Sequence, residues 1–143
     1  MFVGKMIETN NLLEKALNVE TVRRSVISNN IANVDVPHFK RREVNFESEL
    51  RRVIDEQNNP MRNFKAKVSS PRHLSFFEPR SIDSVSMRIN HDYNTTQRND
   101  GNNVDIEKEM VDASKNLMRY NSYVSALNHN FKSLKLVMRP MMM

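Results

Sequence analysis

The clearest pattern in the sequence lies near its carboxyl end, where apolar residues recur in alternating steps of four and three. Ten consecutive positions with this spacing give a mean period of about 3.5 residues, which is typical of a coiled coil. A repeat of this kind predicts one long helix that winds left-handedly around its partner. We call these ten residues the heptad seam: Ile106, Met110, Ala113, Leu117, Tyr120, Val124, Leu127, Phe131, Leu134 and Met138.

The residues at both ends of this stretch fit the same helix. Gly101, Asn102 and Asn103 supply a turn and an asparagine cap before it. Acidic residues are frequent in 105–112 and basic residues in 132–139, an order that suits the helix dipole. Pro140 is expected to end the helix because proline cannot continue it.

A second long helix is predicted over residues 2–33, with a broader apolar stripe that does not keep strict 3.5-residue spacing. Glu20, Arg23 and Asn30 interrupt this stripe. Polar groups within an apolar face cost free energy unless they are paired. We therefore expect these three side chains either to pair with a neighbouring chain or to lie on a solvated part of the face.

The predicted amino-terminal helix stops within the sequence SNNIANVDVPHF, residues 28–39. Asn33 is a suitable carboxyl-terminal cap because asparagine tolerates the left-handed conformation. Pro37 restricts Val36 to an extended backbone and prevents the helix from continuing. The motif thus predicts a defined exit from the helix rather than gradual fraying.

The middle of the chain is less regular. The sequence NFESELRRVIDEQ predicts a short helix capped by Asn45, and residues 64–68 and 85–89 are candidates for a small β element. The sequence therefore predicts a mainly α protein whose long terminal helices pack as an antiparallel, coiled-coil-like pair. The expected segments are an amino-terminal helix and turn over 1–39, a variable middle over 40–100 and a heptad helix over 101–143.

Composition narrows the possible functions. The 143 residues include no cysteine and carry a formal net charge of +5. The arginines occur in pairs rather than in a basic run, so a solvated surface explains them, with a basic helical nucleic-acid-binding protein as the alternative. The start of the chain lacks the apolar core of a signal peptide, and no stretch approaches the roughly 18 apolar residues of a membrane-spanning helix.

Candidate chemistry is sparse. The four histidines lie far apart in the sequence, without the spacing that places two metal ligands on one helical face. Two glycines are too few for a phosphate-binding loop. We expect no catalytic activity, no metal, no cofactor, no small-molecule substrate and no membrane insertion.

The heptad seam therefore becomes the main functional feature. Burying one such side chain fully is worth about 1.5–3 kcal/mol, so a seam left in water would be costly. The amino-terminal helix can cover only part of it, which favours assembly with other chains. The alternative is a compact monomer in which the middle segment folds back over both helices.

These features together resemble the flagellar basal-body rod protein family. Members of that family open with an amphipathic helix that leads into a motif of the type S-x-N-[IL]-A-N-x-x-T-P-G-[YF]. The stretch SNNIANVDVPHF matches this motif except at Val36 and His38, where threonine and glycine are usual. The sequences FKRREVNFESEL, DGNNVDIEKEM and NLMRYNSYVSALNHNFKSLK also resemble the family, so the likeness covers both ends of the chain.

The resemblance implies a structural subunit that is exported without a cleaved signal peptide and builds the hollow, torque-transmitting rod in the periplasm. Its expected partners are further copies of itself, other rod proteins and components of the basal body and export apparatus, without nucleic acid. A cytosolic adaptor for flagellar export is the remaining alternative. The residues expected at subunit interfaces are Leu13, Leu17, Ile27, Asn30, Ile31, Asn33, Pro37, Phe39, Ile106, Met110, Leu117, Tyr120, Val124, Leu127, Phe131 and Leu134.

At His38, the resemblance also makes a local prediction. A glycine at that position would permit a positive φ angle, and histidine is one of the less penalised replacements. The turn is therefore expected to persist with altered geometry.

Overall fold

A computed structural model describes residues 2–59, 69–70 and 80–138. In chain order, its elements are α1 (Phe2–Ala32), β1 (Arg42–Asn45), α2 (Glu47–Asn58), a short 3-10 helix (Ile82–Ser84), β2 (Arg88–His91) and α3 (Ile106–Val137). The fold is mainly α, and β1 and β2 pair as a small antiparallel sheet. The predicted fold class is thus confirmed.

The two long helices pack against each other with antiparallel directions. Side-chain hydrogen bonds join Asn10 to Asn130 and Asn30 to Glu109, so residue numbers rise along α1 as they fall along α3. Among residues 4–32 of α1, the buried apolar residues are Val19, Val26 and Ile27. The core of the helix pair is therefore concentrated in the half that contains the end of α1 and the start of α3.

The start of α3 differs in detail from the prediction. Its capping residue is Asp105, whose carboxylate accepts hydrogen bonds from the backbone N–H groups of Glu107 and Lys108. Asn102 and Asn103 do not cap the helix but bind other parts of the chain. An acidic residue suits this position because it satisfies free N–H groups and the positive end of the helix dipole together. The predicted stop at Pro140 lies outside the described residues.

The chain contains two compact units, formed by residues 1–44 with 89–143 and by residues 45–88. In the second unit, α2 buries Val53 on one face. Phe46, not Asn45, is the residue before the helix, and the Asn45 side chain instead accepts a hydrogen bond from the Ser48 hydroxyl. The capping role predicted for Asn45 is therefore wrong.

The small β element lies partly where it was expected. The strand β2 begins at Arg88, near the end of the predicted extended stretch 85–89, whereas the stretch 64–68 lies outside the described residues. All four residues of β2 are exposed, so apolar alternation could not mark its limits.

Candidate functional site

The turn after α1 is held by a cluster of polar side chains from residues 30–41 and 102–109. We call this cluster the clasp and define it by Asn30, Arg41, Asn102, Asn103 and Glu109. All five are buried, with at most 7% of their surface exposed. Each buried side-chain nitrogen and oxygen among the described residues has a hydrogen-bond partner, so the cluster is fully satisfied.

Asn30 links the last turns of α1 to β1 and α3. Its side-chain amide donates to the Arg42 carbonyl at 2.9 Å and accepts from the Arg42 N–H at 3.0 Å. The same amide group donates to the Glu109 carboxylate at 3.1 Å. A single asparagine therefore fixes where the chain re-enters extended structure and where α3 lies beside it.

Arg41 balances the buried Glu109 carboxylate. Its guanidinium donates to Glu109 and to Glu43 and reaches Asp112 at 3.4 Å. Burial disfavours the charged guanidinium, but the hydrogen bonds to Glu43 and Glu109 outweigh it and raise the pKa of Arg41. The arginine is consequently charged at every physiological pH and compensates a carboxylate that is itself fully buried.

Asn102 closes the turn that follows α1. Its side-chain amide donates to the carbonyl oxygens of Asn33, Val34 and Val36 at distances of 3.1, 2.9 and 2.9 Å. Its side-chain oxygen accepts from the Val104 N–H at 2.7 Å. The abrupt end of α1 is therefore stabilised by a residue almost seventy positions away.

The turn also contains the predicted left-handed residue. His38 has a φ angle of 60°, so the conformation that the glycine of the family motif would permit is retained. Its N–H donates to the Asp100 carbonyl at 3.0 Å, beside Gly101 with a φ angle of 79°. The structure therefore shows a left-handed residue at this position, as the motif's usual glycine would allow.

The polar residues that interrupt the stripe of α1 are paired within the same chain. Glu20 accepts from the side-chain amide of Asn116 on α3 and from Arg23 one turn along α1. Asn30 is held in the clasp. The expectation that these groups would pair with another chain or remain solvated is therefore wrong. Glu109 and Asn116 of α3 lie opposite Asn30 and Glu20, and Arg23 pairs with Glu20.

Along α3, the residues can be grouped into three columns of heptad spacing. The polar column consists of Glu109, Asn116, Tyr123 and Asn130. The inner column of the heptad seam consists of Ile106, Ala113, Tyr120, Leu127 and Leu134, and the outer column consists of Met110, Leu117, Val124, Phe131 and Met138.

These columns differ in their environment. Three members of the polar column donate or accept hydrogen bonds across the helix pair. Ala113, Leu127 and Leu134 of the inner column are half-buried. In the outer column, Met110 is 59% exposed, Leu117 52%, Phe131 53% and Met138 70%. Ile106 and Tyr120 of the inner column are themselves 47% and 39% exposed, and Val124 of the outer column is half-buried. Exposure is therefore greatest along the outer column but is not confined to it.

The sixteen residues expected at interfaces fall into three groups. Ile27 and Asn30 are buried within this chain. A second group is half-buried: Leu13, Leu17, Ile31, Asn33, Phe39, Val124, Leu127 and Leu134. The third group is exposed: Pro37, Ile106, Met110, Leu117, Tyr120 and Phe131.

A groove between α1 and α3 joins part of these sets. Its volume is about 350 Å³, and its lining includes Ile27 and Ile31 of α1 and Met110, Ala113 and Leu117 of α3. The lining also includes the polar residues Arg24, Ser28, Ser114 and Asn116, so the groove is mixed in character and includes Met110 and Leu117 of the outer column. Among the described residues, no cluster of His, Cys, Asp and Glu is arranged to hold a metal ion.

Sequence reasoning missed Arg41, Glu109 and Asn116 as structural residues, and it assigned Asn102 to the cap of α3 rather than to the turn after α1. One signal was available, because Glu109, Asn116 and Asn130 are spaced by seven and fourteen residues directly beside the heptad seam. Their partners on α1 lie 79 to 120 residues away in the sequence, so that spacing alone did not identify them.

Comparison with known proteins identifies the class. Residues 10–40 match the family model for the flagella basal body rod protein. Most of the remaining chain also aligns with proteins of this kind, at up to 40% identity among those described below. The chain therefore belongs to the flagellar basal body rod protein family and is a structural protein of that assembly.

The relatives carry the name flagellar basal body rod protein FlgB. The protein from Borreliella burgdorferi is 40% identical over 124 residues, which cover 86% of this chain and 90% of the relative. The protein from Bacillus subtilis is 33% identical, with 88% and 89% covered, and that from Escherichia coli is 25% identical over the same shares. Neither the nucleic-acid-binding nor the export-adaptor alternative is supported by these relatives.

Family membership places the chain in the flagellar basal body, in assembly with other rod and basal-body components. Within the described residues, no helix combines the length and the apolar character needed to cross a membrane.

Proposed function

We propose that this rod subunit contacts its neighbours through the outer column of α3 and the adjoining groove. The observation that carries the proposal is the exposure of Met110, Leu117 and Phe131, each more than half accessible although each belongs to an unbroken heptad repeat. A heptad repeat is typical of a helix that contacts a partner along its length. The hydrogen bonds to α1 come from the polar column, through Glu109, Asn116 and Asn130. The outer column therefore serves another chain.

The assembly follows from the geometry of such a contact. A surface that meets a different surface on the next copy, without closing into a ring, generates a helical array. We infer that several copies of the chain contact one another and other rod proteins in this way, as a periplasmic shaft that transmits torque. The role requires no catalysis and no cofactor, and we infer export without a cleaved signal peptide.

The test compares two matched double substitutions on α3. Met110→Asp with Leu117→Asp places charges in the outer column. Val111→Asp with Met118→Asp places the same charges one residue further on, at side chains that are 51% and 62% exposed. Both pairs have the same spacing, and both substitute exposed apolar residues.

Each variant would be expressed in a strain of the source organism that lacks the native gene. We expect the outer-column variant to be exported but to build no rods, as seen in soft-agar motility and in electron micrographs of isolated basal bodies. The control variant should restore both. Circular dichroism of the purified chains establishes that both remain helical. Normal rods from a folded outer-column variant would refute the proposed contact surface.

A further inference from the structure

The position of the heptad seam relative to α1 raises a physical problem. An antiparallel helix pair gains most from burying its apolar residues. Rotating α3 about its own axis by one column, about 50° for a seven-residue repeat, would bring the outer column toward α1 and carry the polar column away. The chain instead keeps polar residues between the helices and leaves four outer-column side chains more than half exposed.

The polar contacts across the helix pair explain this choice. Glu109, Asn116 and Asn130 all belong to the same column of α3, and they pair with Asn30, Glu20 and Asn10 of α1 respectively. Three bonds in one column, spread over 21 residues, define a single rotational setting of the helix. Rotation by one column would break all three bonds, and burying unpaired polar groups is expensive.

The contact around Asn116 is the most constrained of the three. Its amide donates both to the Glu20 carbonyl, at 2.8 Å, and to the Glu20 carboxylate. Glu20 is 2% exposed and Asn116 is 4% exposed, so water cannot replace either partner. A buried polar pair of this kind is a weak source of stability but a strong determinant of register and partner, as it is in coiled coils.

We infer that the polar column sets the rotation of α3 and thereby holds the outer column outward, available for a neighbouring subunit. Without these bonds, hydrophobic burial would turn the outer column onto α1, and the chain would become more stable alone and less able to assemble. This inference rests on the proposed function of the outer column. Glu20, Asn116, Asn10 and Asn130 are positioning residues in this scheme, since they act through the orientation of α3.

The test uses a variant in which Asn10, Glu20, Asn116 and Asn130 are all replaced by leucine. The clasp is left intact, so the start of α3 stays anchored. The rotation of a helix relative to its partner can change gradually along its length, because a straight helix drifts by about 20° per heptad relative to a strict seven-residue repeat. The far part of α3 can therefore turn while its start stays anchored. The variant should unfold at a higher temperature because leucines replace two buried polar groups, Glu20 and Asn116, and two half-buried ones, Asn10 and Asn130.

Rotation is read from cysteine accessibility, for which the absence of native cysteine is an advantage. Phe131→Cys reports the outer column, and Lys132→Cys reports the exposed residue beside it. In the four-leucine background, we expect the alkylation rate of Phe131→Cys to fall about tenfold relative to that of Lys132→Cys. In a Glu20→Gln background, which retains a hydrogen-bonding side chain at residue 20, the ratio should stay as in the native chain.

An unchanged ratio in the folded four-leucine variant would overturn the inference. A parallel rise of both rates would also overturn it, since the polar column would then hold the helices together rather than set their rotation. The measurement is made on the isolated chain and does not depend on rod assembly. If the outer column is not the contact surface, the aspartate test fails whereas the accessibility ratio still changes.

Discussion

At the residue scale, the turn beside the clasp contains two neighbouring residues whose backbones lie in the left-handed region. His38 and Gly101 have φ angles of 60° and 79°, and the residues lie side by side. A Cβ atom at Gly101 would be 2.8 Å from Nδ1 of His38, closer than side-chain carbons normally approach. Gly101 is therefore required both for its φ angle and for the space that the His38 ring occupies.

This double requirement can be separated by mutation. We expect Gly101→Ala to reduce the free energy of unfolding by roughly 2–4 kcal/mol, because left-handed strain adds to a steric clash. His38→Gly alone should change it by less than about 1 kcal/mol, since relief of strain is offset by the greater entropy of the unfolded chain. Urea unfolding of the purified chains measures both effects.

The double variant completes the cycle. With His38→Gly present, the cost of Gly101→Ala should fall to roughly 1–2 kcal/mol, the part due to backbone strain. An equal cost in both backgrounds would show that the His38 ring moves aside freely and that only the φ angle matters.

At the element scale, much of the architecture could be predicted. The heptad seam predicted a long carboxyl-terminal helix, and α3 spans Ile106–Val137. The motif at 28–39 predicted the end of α1, which falls at Ala32. Periodicity and turn chemistry are local properties, so a single sequence is enough to read them.

The rotation of α3 could not be predicted from the same pattern. Apolar periodicity predicts that the whole heptad seam is buried. In the structure, α1 instead hydrogen-bonds to the polar column beside the seam, and the outer column is largely exposed. The difference comes from pairs such as Glu20 with Asn116, which are 96 residues apart in the sequence. Local patterns carry no information about which distant partner will satisfy a buried polar group.

Local patterns also failed to identify the partners of Asn102. This residue was expected to help cap α3, but its side chain instead hydrogen-bonds to the turn after α1. We expect Asn102→Asp to lower the free energy of unfolding by about 2–4 kcal/mol, since a carboxylate cannot donate to the carbonyl oxygens of Asn33, Val34 and Val36. Thermal unfolding near neutral pH measures the loss. Asn94→Asp, at an exposed position, should change stability by less than about 0.5 kcal/mol. Equal effects from the two substitutions would contradict the role assigned to Asn102.

At the scale of the whole molecule, burial is distributed unevenly along the helix pair. Among the side chains that the structure describes, every buried residue of α1 lies between Val19 and Asn30, and the buried residues of α3 are Glu109 and Asn116. Beyond them, in 4–18 of α1 and 117–138 of α3, all described side chains are half-buried or exposed, and Asn10 with Asn130 supplies a polar bond across the pair. We call 4–18 and 117–138 the distal half of the helix pair, and 19–32 with 106–116 the clasped half. Since packing stabilises helices more than propensity does, the distal half is expected to open more readily than the clasped half.

Hydrogen exchange can test this uneven stability in the isolated chain and in the rod. In the monomer, we expect amides of 19–32 and 106–116 to exchange at least about tenfold more slowly than those of 4–18 and 117–138, because local opening of the distal half exposes little apolar surface. In isolated basal bodies, neighbouring subunits should cover the outer column, and protection of the distal half should rise to the level of the clasped half. Uniform strong protection in the monomer would favour the compact bundle instead. A distal half that stayed unprotected within the rod would mean that neighbouring subunits contact the chain elsewhere.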